Sequence, residues 1–143
     1  VTQIKGNEMP VTKGIKDLID DAMEQIETMS TEEAIAVHGD ENIVFVDIRD
    51  VRELDREGMV PGAFHAPRGM LEFWVDPDSP YHKDIFSDPN KTFVLYCQSA
   101  WRSVLATKTL KDMGMDNVKQ FENGFKGWKD AGGPVAERPK KSA

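Results

Sequence analysis

The chain has 143 residues, 39% of them apolar, a single cysteine, a net charge of -7 and a pI near 4.9. That length fits one compact domain able to bury a core without disulfides or structural metals. The acidic balance excludes the broad basic patch that nucleic acid or an anionic membrane surface demands. No apolar run approaches the ~18 residues of a membrane span, and one cysteine makes neither an internal disulfide nor a paired-cysteine zinc motif.

In chain order, residues 1–12 show no period and read as an arm. Ile15, Leu18, Ile19, Ala22, Met23 and Ile26 then recur at steps of three and one, the spacing of one helix face. Ser30 with Glu33 forms a capping box that opens a second, short helix, and Gly39 ends it. Ile43-Val44-Phe45-Val46 is an unbroken run rich in β-branched residues. It predicts a strand buried on both faces, as in a parallel sheet, closed by Asp47. A charged helix is expected over Val51 to Glu57, stopped by Gly58. Val60-Pro61-Gly62-Ala63 is a turn into a brief strand through Phe64, residues 69–75 read as helical, and Asp76 to Pro80 is a loop. Thr92 to Tyr96 is the second buried strand and runs straight into Cys97. Six loop residues then lead to a helix with Ala106, Leu110 and Met113 on one face and Gly114 at its end. Val118 to Phe121 reads as a further strand, and Phe125 and Trp128 mark a last helix ended by Gly132-Gly133-Pro134. The polar tail from Glu137 is expected to be loose. Strands alternating with helices predict an α/β layer fold around a parallel sheet.

In such sheets ligands bind beyond the carboxyl ends of the strands. Asp47-Ile48-Arg49, His65 to Arg68 and Cys97 to Ser103 all end there by this reading, so Arg49, Arg68 and Arg102 are expected to converge on the edge that holds Cys97. Arginine holds planar anions in a forked geometry. Cys97 sits between a buried strand and a helix N-terminus, where unpaired N–H groups and the positive end of the helix dipole favour a thiolate, the nucleophilic form. The same N–H groups can hold an anion at the sulfur. A buried structural thiol is the competing reading, since free cysteine ranks among the most buried residues. Ser99, Arg102 and Ser103 directly after the cysteine favour a site. His38, His65 and His82 are far apart in sequence and, with one cysteine, make a poor metal set, so no metal or other cofactor is expected. Glu53 is expected to pair within the Arg49 to Arg56 segment. A lone cysteine makes a reducing cytoplasm the default compartment. The chain begins at Val1 without a signal-peptide pattern, which leaves a removed leader open.

Cys97-Gln98-Ser99-Ala100-Trp101-Arg102-Ser103 resembles the active-site loop of the rhodanese family, Cys-x-x-Gly-x-Arg-Ser. Phe45 to Asp50 is similar to that family's Val-Asp-x-Arg-Asp/Glu segment, and Gly58 to Ala63 to its Gly-His-Ile-Pro-Gly-Ala turn. Phe121 to Trp128 resembles its Gly-Gly-x-x-x-Trp stretch, and Ala131 to Val135 its closing Ala-Gly-x-Pro-Val. The resemblance spans residues 43–135 in the right order. It implies a three-layer α/β/α domain with a five-stranded parallel sheet, running from 26 to 136 between an N-terminal arm and helix (1–25) and a tail (137–143). It also implies a short first strand from Ile26 to Met29, in conflict with the helical period that reaches Ile26.

By the same resemblance, Cys97 is the nucleophile that accepts a sulfane sulfur from thiosulfate or a similar small anionic donor. The persulfide then passes its outer sulfur to cyanide, a thiol or a protein. The amides of Gln98, Ser99, Ala100, Trp101, Arg102 and Ser103 are its cradle, Asp47 and Arg102 are expected to pair and brace the loop, and Arg49 and Arg68 to steer the donor. Ala100 stands where relatives have glycine, and Met59 where they have histidine. Phosphatases and arsenate reductases of related fold also use a Cys-to-Arg loop, with five residues between the two against four here. An inactive binding module is the remaining alternative, against which Cys97 itself stands.

Overall fold

In the computed structural model, which describes residues 10–139, the two apolar runs become adjacent strands at the centre of one sheet. They are β2 (Ile43–Asp47) and β4 (Thr92–Tyr96), paired in parallel from Ile43 with Thr92 to Asp47 with Tyr96. β3 (Phe64–His65) flanks β2, and β5 (Val118–Phe121) flanks β4. β1 (Thr28–Met29) pairs with β5 at the edge, giving the order β1-β5-β4-β2-β3, all parallel.

Alternate side chains leave opposite faces of a strand, and here both faces are covered. Val46, Phe93, Leu95 and Cys97 point to the side occupied by α4 (Leu71–Val75) and α5 (Trp101–Asp112). Phe45, Val94, Tyr96 and Phe121 point to the side of α2 (Thr31–Val37) and α6 (Gly124–Asp130). Trp128 is fully buried in the second layer with Phe121 and Phe125. Each such apolar side chain contributes about 1.5–3 kcal/mol of burial free energy. α1 (Ile15–Met23) lies outside this sandwich and packs Ile19 and Ala22 against Val104 of α5. α3 (Val51–Glu57) follows β2. The expected three-layer α/β/α architecture with five parallel strands is the one observed.

The Ser30/Glu33 capping box translates directly into bonds, and the structure adds a second box that the sequence reading did not single out. Ser30 Oγ accepts from the Glu33 amide at 3.0 Å while Glu33 returns to the Ser30 amide at 3.2 Å. Asp50 and Glu53 do the same at the start of α3.

Several boundaries differ from the sequence reading. α1 stops at Met23, and β1 is two residues long, so Ile26 belongs to neither. A two-residue edge strand has no local signal and exists through its pairing with β5. α5 begins at Trp101, not after six loop residues, because Ala100 takes a left-handed conformation (φ 88°) that turns the chain directly into the helix. Met113, expected on the buried face of α5, is 43% exposed. Of the arm, residues 1–9 lie outside the described residues. The described part of the tail is tied down, since Arg138 binds Asp55 of α3.

Candidate active site

Cys97 follows the last residue of β4, and its side chain is buried, 1% exposed. Two backbone N–H groups donate to Sγ, from Ala100 at 3.2 Å and Ser103 at 3.4 Å. The Ser103 hydroxyl lies 3.7 Å from the sulfur and is anchored by the Ala100 carbonyl (2.9 Å) and the Gln120 side-chain oxygen (2.8 Å). The left-handed Ala100 is what folds these donors back onto the cysteine.

The first two peptides of the loop are held from behind. The Cys97 carbonyl accepts from the Phe125 amide at 2.8 Å, and the Gln98 carbonyl from the Lys126 amide at 3.1 Å. A trans peptide points its N–H opposite to its C=O, and there is no cis bond among the described residues. The N–H groups of Gln98 and Ser99 therefore face away from α6, and neither finds an acceptor among the described residues. Asn123 and Gly124 are both left-handed, which turns the first amides of α6 toward the loop. A Cβ on Gly124 would sit 2.6 Å from Cys97 O and from Gln98 backbone atoms. This close approach is what the sequence motif Asn123-Gly124 encodes, though it is visible only when the loop and α6 meet.

The arginines distribute differently from expectation. Arg49 does not face a donor. It is fully buried with Asp47, its Nη2 2.7 Å from Asp47 Oδ2 and its Nε 3.0 Å from Oδ1. Its remaining N–H groups bind the Gly58 carbonyl and the Gln98 side chain. Burial pushes the guanidinium pKa down, but the hydrogen bonds and charge of Asp47 outweigh this and leave it above its ordinary value. Burial, then the Asp47 charge, also holds the Tyr96 phenol well above its ordinary range. Asp47 thus pairs with Arg49, two residues along, and not with Arg102, because both side chains leave the end of β2 on the same side.

Arg102 instead forms a two-pronged pair with Glu53, 2.9 Å at each contact. Glu53 reaches across to α5 rather than pairing within its own segment. The hydrogen bond to Glu53 raises the Arg102 pKa, burial opposes it, and the nearby Cys97 sulfur adds to the rise. Arg102 is the arginine carried by the loop's own helix start, with its guanidinium on Glu53. Arg68 binds Glu72 and approaches Thr109 on α5, and none of these contacts belongs to the loop. His65 donates from Nε2 to the Arg49 carbonyl at 2.6 Å.

The model for the Rhodanese-like domain matches residues 30–131. The chain belongs to the rhodanese-like family. Its fold is that of solved rhodanese-type proteins, among them a thiosulfate sulfurtransferase from Pseudomonas aeruginosa (23% identity, 86% of this chain and 22% of that one, TM-score 0.71). A Bacillus subtilis relative named "Putative sulfurtransferase YtwF" is 30% identical over 74% of this chain and 90% of its own length. Another solved structure, from Rhodopseudomonas palustris, is 52% identical over 90% of this chain and 98% of that one, with a TM-score of 0.86. It is described as a protein of unknown function and possible tyrosine phosphatase. Some curated relatives are longer, and the chain spans 48% of a Synechocystis protein of unassigned function.

Within this rhodanese-like domain the loop has three supports: α6 behind its first carbonyls, Arg49 under Gln98, and Gln120 beneath Ser103. The sequence reading missed Gln120. Its signal was a polar residue at a position of β5 that alternation should bury, and it is 1% exposed. Among the described residues no three His, Cys, Asp or Glu side chains gather as a metal site, and no helix is long and apolar enough to cross a membrane.

Proposed function

We propose that this rhodanese-like protein is a sulfurtransferase that carries sulfane sulfur as a persulfide on Cys97. The Cys97 thiolate attacks the outer sulfur of thiosulfate or a similar donor. A new S–S bond forms, the donor's S–S bond breaks, and sulfite leaves with the electron pair. A thiol, cyanide or protein acceptor then takes the outer sulfur and returns Cys97 as a thiolate.

The observation that carries this reading is the ring of amides around a buried sulfur. Ala100 and Ser103 N–H point at Sγ itself, and those of Gln98 and Ser99 are free to hold the added sulfur. Donors already aimed at the charge cost no reorganisation when it arrives. Gln98 through Ser103 thus line the persulfide, Arg102 lends the positive charge that attracts an anionic donor, and Asp47, Arg49 and Glu53 hold the frame. Arg68 spends its contacts on Glu72 and Thr109, outside the loop, and is offered no role at the sulfur.

A phosphatase reading has one support, the description of the 52%-identical relative. Four residues separate Cys97 from Arg102, a ring fitted to one sulfur rather than a tetrahedral oxyanion, and Glu53 already takes both prongs of Arg102.

One experiment separates the two. Intact mass of desalted protein after thiosulfate should show one added sulfur that cyanide removes, and Cys97→Ser should show none while unfolding at a similar temperature. Turnover of p-nitrophenyl phosphate without a sulfur adduct would replace this proposal with the phosphatase.

A further inference from the structure

A cleft of about 260 Å³ lies between α1 and the sulfur loop. Ile19 and Met23 from α1 and Trp101 and Val104 from the start of α5 give it an apolar side, and Thr28, Gln120, Glu122 and Asn123 a polar one. Met23 and Trp101 remain 42% and 52% exposed. The cleft adjoins the loop that carries the nucleophile, without Cys97 itself in its lining. Gln120, which lines it, accepts the Ser103 hydroxyl at 2.8 Å, and that hydroxyl lies 3.7 Å from Cys97 Sγ. The opposite end of the Gln120 amide donates to Thr28 at 2.9 Å, so the floor is fixed. Ser99 and Ala100, the crest of the loop, form the near rim.

The charge of the lining is one-sided. Glu122 is the one ionisable residue in it, and no lysine, arginine or histidine contributes. Arg102 is not part of the lining and pairs with Glu53 of α3. Two of the apolar walls, Ile19 and Met23, precede residue 30, where the family match begins. The N-terminal helix thus completes a cleft whose other walls lie within the family match.

We infer that this cleft binds the sulfur acceptor, and that the acceptor is a thiol with an apolar body and no negative charge. The inference rests on the sulfurtransferase reading and names the substrate class of its second half. An apolar body covers Met23 and Trp101, which water otherwise contacts, and a carboxylate held in the cleft meets Glu122 with no cation in the lining to offset the repulsion. The transfer is a displacement at sulfur. The acceptor thiol loses its proton to solvent, its sulfur bonds to the outer sulfur of the persulfide, and the Sγ–S bond breaks with its electron pair returning to Cys97.

The test starts from protein loaded with thiosulfate and desalted, and follows loss of the extra sulfur by intact mass. Four acceptors are compared: phenylmethanethiol, cysteamine, 3-mercaptopropionate and cyanide. Met23→Glu should slow discharge by phenylmethanethiol about ten-fold, the value of one lost apolar contact surface, and leave loading and discharge by cyanide unchanged. Met23→Ala, a milder change at a half-exposed helix end, should slow it about three-fold. Glu122→Gln should narrow the gap between cysteamine and 3-mercaptopropionate. Equal rates with phenylmethanethiol in the parent and in both Met23 variants, with cyanide discharge intact, would overturn the cleft assignment alone. Failure of loading or of cyanide discharge in the parent would overturn the sulfurtransferase reading and this inference with it.

Discussion

Asp47→Asn tests the frame beneath the loop. Both members of the Asp47–Arg49 pair are 0% exposed. Asp47 receives three N–H groups of Arg49: the backbone amide at 3.0 Å, Nε at 3.0 Å and Nη2 at 2.7 Å. The guanidinium also stands 4.4 Å from the centroid of the Phe125 ring. Asparagine keeps the shape and one acceptor but removes the charge, leaving a guanidinium in the interior without a counter-ion. At an effective dielectric near 20, opposite charges about 4 Å apart attract by about 4 kcal/mol. Removing one member of a buried pair generally costs about 3–5 kcal/mol. Both figures place the loss near 3–4 kcal/mol, a large part of the ~5–15 kcal/mol stability of a domain. The melting temperature should fall by about 10–15 °C, from ~3–4 °C per kcal/mol at this size. Urea unfolding of the parent, Asp47→Asn, Arg49→Met and the double variant gives the coupling directly, and the double should lose clearly less than the sum of the singles. A single-variant loss below about 0.5 kcal/mol, or strict additivity, would refute the claim that these charges are a buried, mutually dependent pair.

Ala100→Gly should stabilise the protein by about 0.5–1 kcal/mol in urea unfolding, since alanine at φ 88° costs about 1–2 kcal/mol and glycine returns part of that as chain entropy. Gly124→Ala should cost more than about 2 kcal/mol and slow sulfur loading, because its Cβ would lie 2.6 Å from the loop backbone; unchanged loading kinetics would separate α6 from the site. The Glu53 carboxyl is held below its ordinary value of 4.5 first by the Arg102 hydrogen bond, against burial. A depressed folded pKa means that its stabilisation is complete above pH 4.5 and is lost as pH falls through the lower folded value. Glu53→Gln should therefore cost about 0.5–1 kcal/mol at neutral pH and flatten the decline of stability in that acid window, as read from urea midpoints across pH.

What the sequence determined by itself was everything governed by neighbours along the chain. The runs Ile43 to Val46 and Thr92 to Tyr96 read as strands buried on both faces, as in a parallel sheet. The box Ser30/Glu33 satisfies amides three residues away, and Cys97 at a strand-to-helix turn marked the site. Tertiary structure decided which partners those residues take. Arg49 faces Asp47 and not a ligand because both side chains leave β2 into the interior. Glu53 is drawn to Arg102 only because α3 and α5 start side by side at one edge of the sheet. Gln120 and Gly124 matter because β5 and the start of α6 lie against the cysteine loop, with Gln120 meeting Ser103 across 17 residues of sequence. A two-residue strand such as β1, or a cleft walled by Met23 and Trp101, arises from surfaces meeting in space, and no local spacing of residues encodes such a meeting.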